Sequence, residues 1–227
     1  MQSNFKVLSL SHEKAPIEIR ELLHLDEAAS RQLAVQMREV LHLEEVLVLS
    51  TCNRTEIYFQ AEGNRFQEVM GLLGVVKGIT CPHQYGRYFE EIHDTLSAAR
   101  HLFEVSMGLH SKVIGDLQIS NQVKKAYAIS AEEQLAGPFL HRLLHTIFHC
   151  NKRVQQETAY RDGAASVSYA AAELARSVVS FLPSPSVLVI GLGEMGLDAA
   201  RNVLNGKFER IAVMNRSGEK AQAFAEA

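Results

Sequence analysis

The stretch at residues 187–196, VLVIGLGEMG, decides how the C-terminal part of the chain folds. An apolar run of strand length leads straight into three glycines with G-x-G-x-x-G spacing, and a predicted helix follows as far as Leu204. A second strand is predicted at residues 210–214 and a further helix at residues 218–227. This β-α-β-α order is typical of part of a Rossmann-like domain.

Each glycine of this motif has a physical reason. The first allows a tight turn, the second lets a pyrophosphate approach the backbone, and the third lets the helix pack closely on the strand. The motif therefore predicts a dinucleotide site, and the alternative is a tight turn in another kind of α/β domain. The candidate cofactor-binding residues are Gly191, Leu192, Gly193, Glu194, Met195 and Gly196.

The residues after the second strand favour NADPH over NADH. An acidic residue at this point would accept a hydrogen bond from the ribose of NAD. The chain has Asn215, Arg216 and Ser217 instead, so no carboxylate repels a 2′-phosphate and these polar residues can bind one. The alternative for Arg216 is a solvated loop arginine.

Strand and helix patterns alternate through the first part of the chain. They predict strands at residues 5–10, 46–49 and 55–59, helices at residues 27–41 and 66–73, and a last strand near residues 84–89. Asp26 is the expected N-cap of the first of these helices. This order predicts a small α+β sandwich of the split βαβ kind. Further helices are predicted after Asp94 and at residues 118–130, 140–158 and 166–179.

The predicted fold class is therefore α/β with three parts. An α+β domain with added helices occupies residues 1–160, a helical connector and linker residues 161–185, and a partial Rossmann-like domain residues 186–227. The Pro- and Ser-containing stretch at residues 181–186, FLPSPS, is the clearest linker in the sequence.

Composition and charge exclude several classes of protein. The 227 residues carry a formal net charge of −3, which is unlike a generic polyanion binder, so any contact with nucleic acid must come from local basic patches. The three cysteines, Cys52, Cys81 and Cys150, form no C-x-x-C pair, and neither a disulfide framework nor a metal site is expected. No apolar run has the length of a signal peptide or a membrane span, which favours a soluble cytoplasmic protein.

The segment at residues 50–56, STCNRTE, surrounds one cysteine with polar side chains. A cysteine at the end of a buried strand is usually a small core residue. Here Arg54 lies two positions after Cys52, and a nearby cation stabilises the nucleophilic thiolate. A thiolate together with a bound nicotinamide suggests attack on an acyl group, followed by hydride reduction to an aldehyde.

This segment resembles the signature of the glutamyl-tRNA reductase family. The stretch at residues 101–119, HLFEVSMGLHSKVIGDLQI, is similar to the long central motif of that family. The residues Lys152-Arg153-Val154, Glu157-Thr158 and Ser166-Val167-Ser168 follow in the family's order, and the glycine motif comes after them. The resemblance spans nearly the whole chain.

The resemblance implies an activity and a set of site residues. The family reduces the glutamyl group of glutamyl-tRNA with NADPH to glutamate-1-semialdehyde, through a cysteine thioester and with release of tRNA, in tetrapyrrole (porphyrin and heme) biosynthesis. Cys52 matches the nucleophile, and His101 matches a histidine near the reacting acyl group. The positions that match substrate contacts are Thr51, Asn53, Arg54, Ser111, Asp116, Leu117, Gln118 and Gln122.

The resemblance also implies partners. The product would pass to glutamate-1-semialdehyde aminomutase, and the full-length protein would be a homodimer without a membrane attachment. Family members continue into a dimerisation domain, which we expect this chain to lack, and we expect weak NADPH binding by a partial nucleotide domain. Two other hypotheses stay open: a fragment that only binds tRNA or a partner, and a cysteine-dependent NADP acyl reductase of another substrate.

The chain departs from the family pattern at two places. His110 stands where the family usually has Asp, and Asp116-Leu117 stands where it usually has Glu-Pro. The aspartate keeps a carboxylate with a shorter reach, and the loss of proline frees the backbone. These changes affect polar contacts in the site more than they affect the reaction.

Two basic features of the helical part have a functional and an ordinary interpretation. His141, His145 and His149 recur every four residues on one helix face, which is typical of a solvated or interface face and less often of a metal site. A further basic set is either a solvated surface or a contact with acceptor-stem phosphates. It comprises Lys124, Lys125, Arg142, Lys152 and Arg153.

Overall fold

The computed structural model describes residues 4–160, 167–204, 206 and 208–226. The chain divides into two compact units, Met1–Ser111 with Gln118–Glu157 and Lys112–Leu117 with Thr158–Ala227. The three-part division at residues 160 and 185 stays a prediction. Ser166, with which one predicted helix begins, lies outside the described residues. Within the described ranges, no helix is both long and apolar enough to cross a membrane.

The first unit is built on a sheet with the order β2-β3-β1-β4. Its strands are β1 (Asn4–Ser11), β2 (Val46–Ser50), β3 (Arg54–Ala61) and β4 (Phe89–Ile92). Every neighbouring pair is antiparallel, so β1 and β2 run in the same direction with β3 between them. This is the split βαβ arrangement, and the predicted fold class is confirmed.

Helices cover both faces of this sheet. They are α1 (Ile17–Leu23), α2 (Glu27–Leu41), α3 (Phe66–Lys77), α4 (Thr95–Ser106), α5 (Leu117–Glu132) and α6 (Pro138–Glu157). Because side chains alternate along a strand, Leu8 and Leu10 pack with residues of α1 to α3, whereas Phe5 and Val7 pack with residues of α4 to α6. Strands β1, β2 and β3 are therefore buried on both sides, whereas Glu90 and Glu91 of the edge strand β4 are exposed.

Polar side chains fix the helix ends. Asp26 accepts a hydrogen bond from the Ala29 N–H at 2.8 Å, which confirms the predicted N-cap of α2. The buried carboxylate of Glu45 accepts from the N–H groups of Phe139 at 3.1 Å and Leu140 at 2.7 Å. An anion at this point satisfies the open N–H groups of α6 and complements the helix dipole.

Two predictions about the first unit were wrong or incomplete. Residues expected to form a strand at 84–89 form a 3₁₀ helix, Pro82–Tyr88, and the strand begins only at Phe89. Pro82 occupies the first helical turn, where a residue without an N–H is tolerated best. The short helix α1 was not predicted, because seven residues show too little of a helical period.

The second unit contains the predicted β-α-β-α order. Its elements are α7 (Val167–Val178), β5 (Ser186–Ile190), α8 (Glu194–Leu204), β6 (Arg210–Met214) and α9 (Gly218–Ala225). Strands β5 and β6 are parallel, with Val187 opposite Ile211 and Ile190 opposite Met214. The turn from β5 into α8 contains the glycine motif, as the sequence predicted.

Candidate functional site

The candidate nucleophile lies in the turn between β2 and β3, whose two central residues are Cys52 and Asn53. The Thr51 N–H donates to the Arg54 carbonyl at 2.8 Å and closes the hairpin. The Thr51 hydroxyl accepts from the N–H groups of Asn53 at 3.2 Å and Arg54 at 3.3 Å. Cys52, at the tip, is exposed. The alternative of a cysteine buried in the core is therefore wrong, and the thiol is accessible to a large substrate.

Arg20 of α1 also contacts this turn. Its Nη1 donates to the Cys52 carbonyl at 2.6 Å and to Oδ1 of Asn53 at 3.1 Å. The side chain is buried, although it belongs to a helix that the sequence patterns did not reveal. The segment IEIRELL, in which Arg20 stands between two glutamates, gave no distinct sequence signal for this contact.

A buried carboxylate joins two of the predicted site residues. Alternation along β3 places Arg54, Glu56 and Tyr58 on the sheet face that packs against α4. Oε1 of Glu56 accepts from Nη1 of Arg54 at 2.9 Å and lies 3.0 Å from Nε2 of His101. Oε2 accepts from the Tyr58 hydroxyl at 2.7 Å, and the Ser9 hydroxyl donates to Oε1 at 3.0 Å. Glu56 is wholly buried, so these partners replace its hydration.

The electrostatics of this cluster keep Glu56 ionised. Burial alone would raise the pKa of Glu56, but the charge of Arg54 and the hydrogen bond and charge of His101 hold the pKa well below its usual range. Burial also opposes the charged form of His101, yet the hydrogen bond and charge of Glu56 outweigh it and raise the His101 pKa above 6.5. The cluster therefore stabilises a protonated imidazole beside a carboxylate.

His101 and Arg54 line a pocket of about 350 Å³. His110 lines it too, with its ring centroid 5.4 Å from that of His101 and its Nε2 3.1 Å from Oε2 of Glu104. Nη2 of Arg54 donates to the His110 carbonyl. The residue that departs from the family pattern is therefore part of this pocket, and it introduces a second imidazole there.

The structure brings together only some of the predicted substrate residues. Thr51, Cys52, Asn53 and Arg54 share the turn, and Glu56 connects this turn to His101. Gln122 of α5 instead lines a second pocket of about 210 Å³, next to Ser50. The remaining predicted positions are distributed between the units: Ser111 and Gln118 belong to the first, and Asp116 and Leu117 to the second.

Glu56 is a further residue of the site, at the end of the motif around Cys52, and no role was predicted for it. The available signal was the two-residue spacing in a buried strand, which places Arg54 and Glu56 on one face. Its link to His101, 45 residues further along the chain, depends on the tertiary fold.

The glycine motif of the second unit has the geometry that a phosphate-binding turn needs. Gly191 adopts φ +90°, a conformation that favours glycine, and its N–H donates to the Met214 carbonyl at 2.7 Å. A Cβ on Gly196 would overlap the Gly191 carbonyl oxygen. Helix α8 begins at Glu194, directly after this turn, so the N-terminus of α8 faces the turn. The side chain of Glu194 is not among the described parts of the structure.

Asn215 fixes the glycine turn from the end of β6. Its Oδ1 accepts from the Leu192 N–H at 3.0 Å, and its Nδ2 donates to the Ser217 carbonyl at 3.1 Å. Arg216 and Ser217 are close to it in sequence, and Arg216 is exposed. Asn215 therefore shapes the turn, while the guanidinium of Arg216 is accessible to a ligand.

The histidine face of α6 forms a ring cluster. The centroids of His141 and His145 are 4.4 Å apart, and the Tyr127 hydroxyl hydrogen-bonds Nδ1 of His141. No group of three or more His, Cys, Asp or Glu side chains in the described part of the chain is arranged to hold a metal ion.

Together, the two units define a class of protein in which an α+β sandwich with an exposed cysteine precedes a dinucleotide-binding fold. The family model "Glutamyl-tRNAGlu reductase, N-terminal domain" matches residues 8–158, and the model "Shikimate / quinate 5-dehydrogenase" matches residues 173–227. The chain belongs to the glutamyl-tRNA reductase family.

Individual relatives agree with this assignment. A glutamyl-tRNA reductase of Cytophaga hutchinsonii is 51% identical over 226 residues, covering 99% of this chain and 53% of the relative. One from Chlorobium phaeobacteroides is 38% identical over 229 residues, covering 98% and 52%. The solved structure of glutamyl-tRNA reductase from Methanopyrus kandleri matches with a TM-score of 0.67 and 28% identity, covering 98% of this chain and 52% of that one. The chain thus spans about half the length of the curated relatives it matches.

Proposed function

We propose that the chain carries the acyl-transfer site and the cofactor loop for NADPH-dependent reduction of glutamyl-tRNA to glutamate-1-semialdehyde, with release of tRNA. The observation that carries the proposal is the exposed thiol of Cys52 at the tip of its turn. The backbone of this turn is held by the hydrogen bond from Thr51 to Arg54 and by the hydrogen bond from Arg20 to the Cys52 carbonyl. Membership of the family supports the identity of the substrate.

In the first step, the Cys52 thiolate attacks the carbonyl carbon of the ester that joins glutamate to the tRNA. A carbon–sulfur bond forms, the carbon–oxygen bond to the ribose breaks, and the ribose oxygen leaves with the electron pair and takes up a proton. His101 is a suitable proton donor: when protonated, its Nε2–H faces Glu56 while Nδ1 carries a second proton. The raised pKa of His101 favours this protonated form.

The Arg54 guanidinium is the group of this pocket that would bind the free side-chain carboxylate of a glutamyl group. Arg54 and protonated His101 both pair with buried Glu56. Glu13, Glu90 and Glu104 also line the pocket, and Arg100 pairs with Glu104. Because Arg54 already holds Glu56 and the His110 carbonyl, it is a rigid anion-binding group, which favours selection for glutamate over glutamine.

The residues of the second unit fit a dinucleotide. The glycine turn and the N-terminus of α8 would hold the pyrophosphate, and the exposed guanidinium of Arg216 would bind the 2′-phosphate. NADPH, when bound, supplies the hydride that reduces the thioester to the aldehyde and returns Cys52 to its thiolate. Replacing Arg216 by Gln should weaken NADPH binding about tenfold and leave NADH binding unchanged.

The test of the acyl-transfer step is covalent capture of glutamate. Chain incubated with glutamyl-tRNA labelled in the amino acid is quenched in acid, and the label on the protein is located by peptide mapping. Unmodified chain should carry the label on Cys52, and Cys52→Ser should carry none. Cys81→Ser is a matched control, because Cys81 is also exposed, and it should be labelled normally. Label on the Cys52→Ser protein would exclude this mechanism. Binding of tRNA without capture would favour a binding function.

Three further proposals rest on the family resemblance and composition. The aldehyde product passes to glutamate-1-semialdehyde aminomutase, the full-length protein is a homodimer, and it acts in the cytoplasm. Sedimentation of the full-length protein, alone and mixed with the aminomutase, tests the first two.

A further inference from the structure

Arg20 is a buried cation that contacts the cysteine turn from outside the motif that defines it. It lies on α1, 32 residues before Cys52, and only 8% of its surface is exposed. Among the residues that the structure describes, its hydrogen-bond acceptors are the carbonyls of Ala15 and Cys52 and the amide oxygen of Asn53. A buried guanidinium usually pairs with a carboxylate. These acceptors are all neutral. Arg54, which follows Asn53 in the sequence, instead pairs with the carboxylate of Glu56.

The contact with Asn53 determines which end of its amide can meet a ligand. Oδ1 of Asn53 accepts from Arg20, so Nδ2 is turned to the other side of the amide group. The backbone of Asn53 is engaged as well: its N–H donates to the Thr51 hydroxyl and its carbonyl accepts from the His12 N–H at 2.9 Å. Nδ2 is therefore the donor that Asn53 can offer to a bound substrate.

The contact with the Cys52 carbonyl fixes the peptide that carries the nucleophile. Arg20 thus fastens both central residues of the turn through one nitrogen, Nη1. Its Nε bond to Ala15, which precedes α1, fixes the guanidinium itself at 3.2 Å. Lysine could not reproduce this arrangement, since it lacks the planar fork of donors.

We propose that Arg20 is a positioning residue for acyl transfer: it holds the Cys52–Asn53 peptide and orients the Asn53 amide so that Nδ2 donates to the substrate oxygen that becomes negative when Cys52 attacks. This inference rests on the proposed function. A donor aimed at developing negative charge acts mainly in the transition state, so its loss lowers the rate more than the affinity. A lost hydrogen bond to a charged group corresponds to about a ten- to hundredfold decrease.

The experiment measures the rate of glutamate capture on Cys52 over a range of glutamyl-tRNA concentrations. Arg20→Lys and Arg20→Gln should lower the maximal rate about ten- to hundredfold, with little change in the concentration that gives half the maximal rate. Arg31→Lys is the matched control, because Arg31 makes its ion pairs with Glu132 and Glu133, and it should capture at the normal rate. Asn53→Asp keeps an oxygen for Arg20 but removes the Nδ2 donor, so it should lose the same factor even if the Arg20 variants fold poorly.

A double substitution separates positioning from a direct effect of charge. In an Asn53→Ala background, Arg20→Lys should add a smaller loss than it causes in the unmodified chain, because only the contact with the Cys52 carbonyl remains to be lost. A full additional loss, or capture at the normal rate by Asn53→Asp or by a folded Arg20→Lys, would overturn the inference and leave the proposed function standing. Failure of the unmodified chain to capture any glutamate would overturn both.

Discussion

Oε1 of Glu56 lies 3.0 Å from Nε2 of His101, and no part of the Glu56 side chain is exposed to solvent. The same oxygen accepts from Arg54, so one buried carboxylate organises two residues that sequence analysis assigned separately to catalysis and to substrate binding. The stability and the pH dependence of this unit should both depend on that carboxylate.

The first prediction concerns pH. The pKa of His101 is raised above 6.5 by Glu56, although burial opposes this, so the folded chain binds the His101 proton more tightly than the unfolded chain. This contribution to stability is fully present below about pH 6.5 and is lost as pH rises through the raised pKa. Urea unfolding at a series of pH values should show this decrease in the free energy of unfolding, and His101→Gln should remove the decrease. An unchanged pH profile in that variant would contradict the assignment.

The second prediction concerns the buried pair. Glu56→Gln leaves the Arg54 guanidinium buried without its counter-charge and should lower the free energy of unfolding by about 3–5 kcal/mol. Tyr58→Phe removes a single hydrogen bond to Glu56 and should cost about 1.5 kcal/mol. Urea denaturation of both variants checks that Glu56→Gln loses more free energy of unfolding than Tyr58→Phe. If the tyrosine variant were the less stable one, the ion pair would not be the main contribution.

The third prediction concerns the glycine turn. Gly196→Ala places a methyl group against the Gly191 carbonyl oxygen, and the strain of about 1–3 kcal/mol should weaken NADPH binding roughly tenfold or more. Gly218→Ala is the control, since nothing lies within 4 Å of a Cβ at that position. NADPH fluorescence titration measures both variants. Equal affinities would show that the turn does not contact the cofactor.

The fourth prediction concerns the exposed basic residues of α6. Arg142 and Lys152 lie on a helix whose sole acidic residue is Glu157, which pairs with Arg153. If they contact tRNA phosphates, Arg142→Gln and Lys152→Gln should each weaken tRNA binding and reduce the salt dependence, by about one unit of slope per lost contact. Lys220→Gln, on α9, should leave the slope unchanged. Identical slopes for all variants would favour an ordinary solvated surface.

The local sequence determined most of the fold. The apolar runs of β1, β2 and β3 and the capping residue Asp26 were sufficient for the split βαβ arrangement, because strand and helix periods are local properties. The strand prediction for the segment before Phe89 was wrong. The aromatic residues of this segment favour a strand, but Pro82 and its neighbours form a 3₁₀ helix. The short α1 had too few residues to show a period.

The candidate site was less predictable, since it depends on contacts between distant residues. The motif around Cys52 could be recognised as a contiguous segment. The partners that hold it, Arg20 and His101, lie 32 and 45 residues from their contacts at Cys52 and Glu56, and no local pattern links them. Only the packing of α1 and α4 around the sheet brings these side chains together.

The Asn215 amide, which joins the Leu192 N–H to the Ser217 carbonyl, has a consequence for engineering. A designer seeking an NADH-dependent variant would first replace Asn215 by aspartate, the residue type that binds the ribose of NAD. Aspartate would still accept from Leu192, but it could no longer donate to Ser217, and its new charge would be shared between a ribose and the backbone. Asn215 would therefore influence cofactor preference and also holds the shape of the glycine turn. A switch of specificity would also have to replace the lost hydrogen bond to the Ser217 backbone carbonyl.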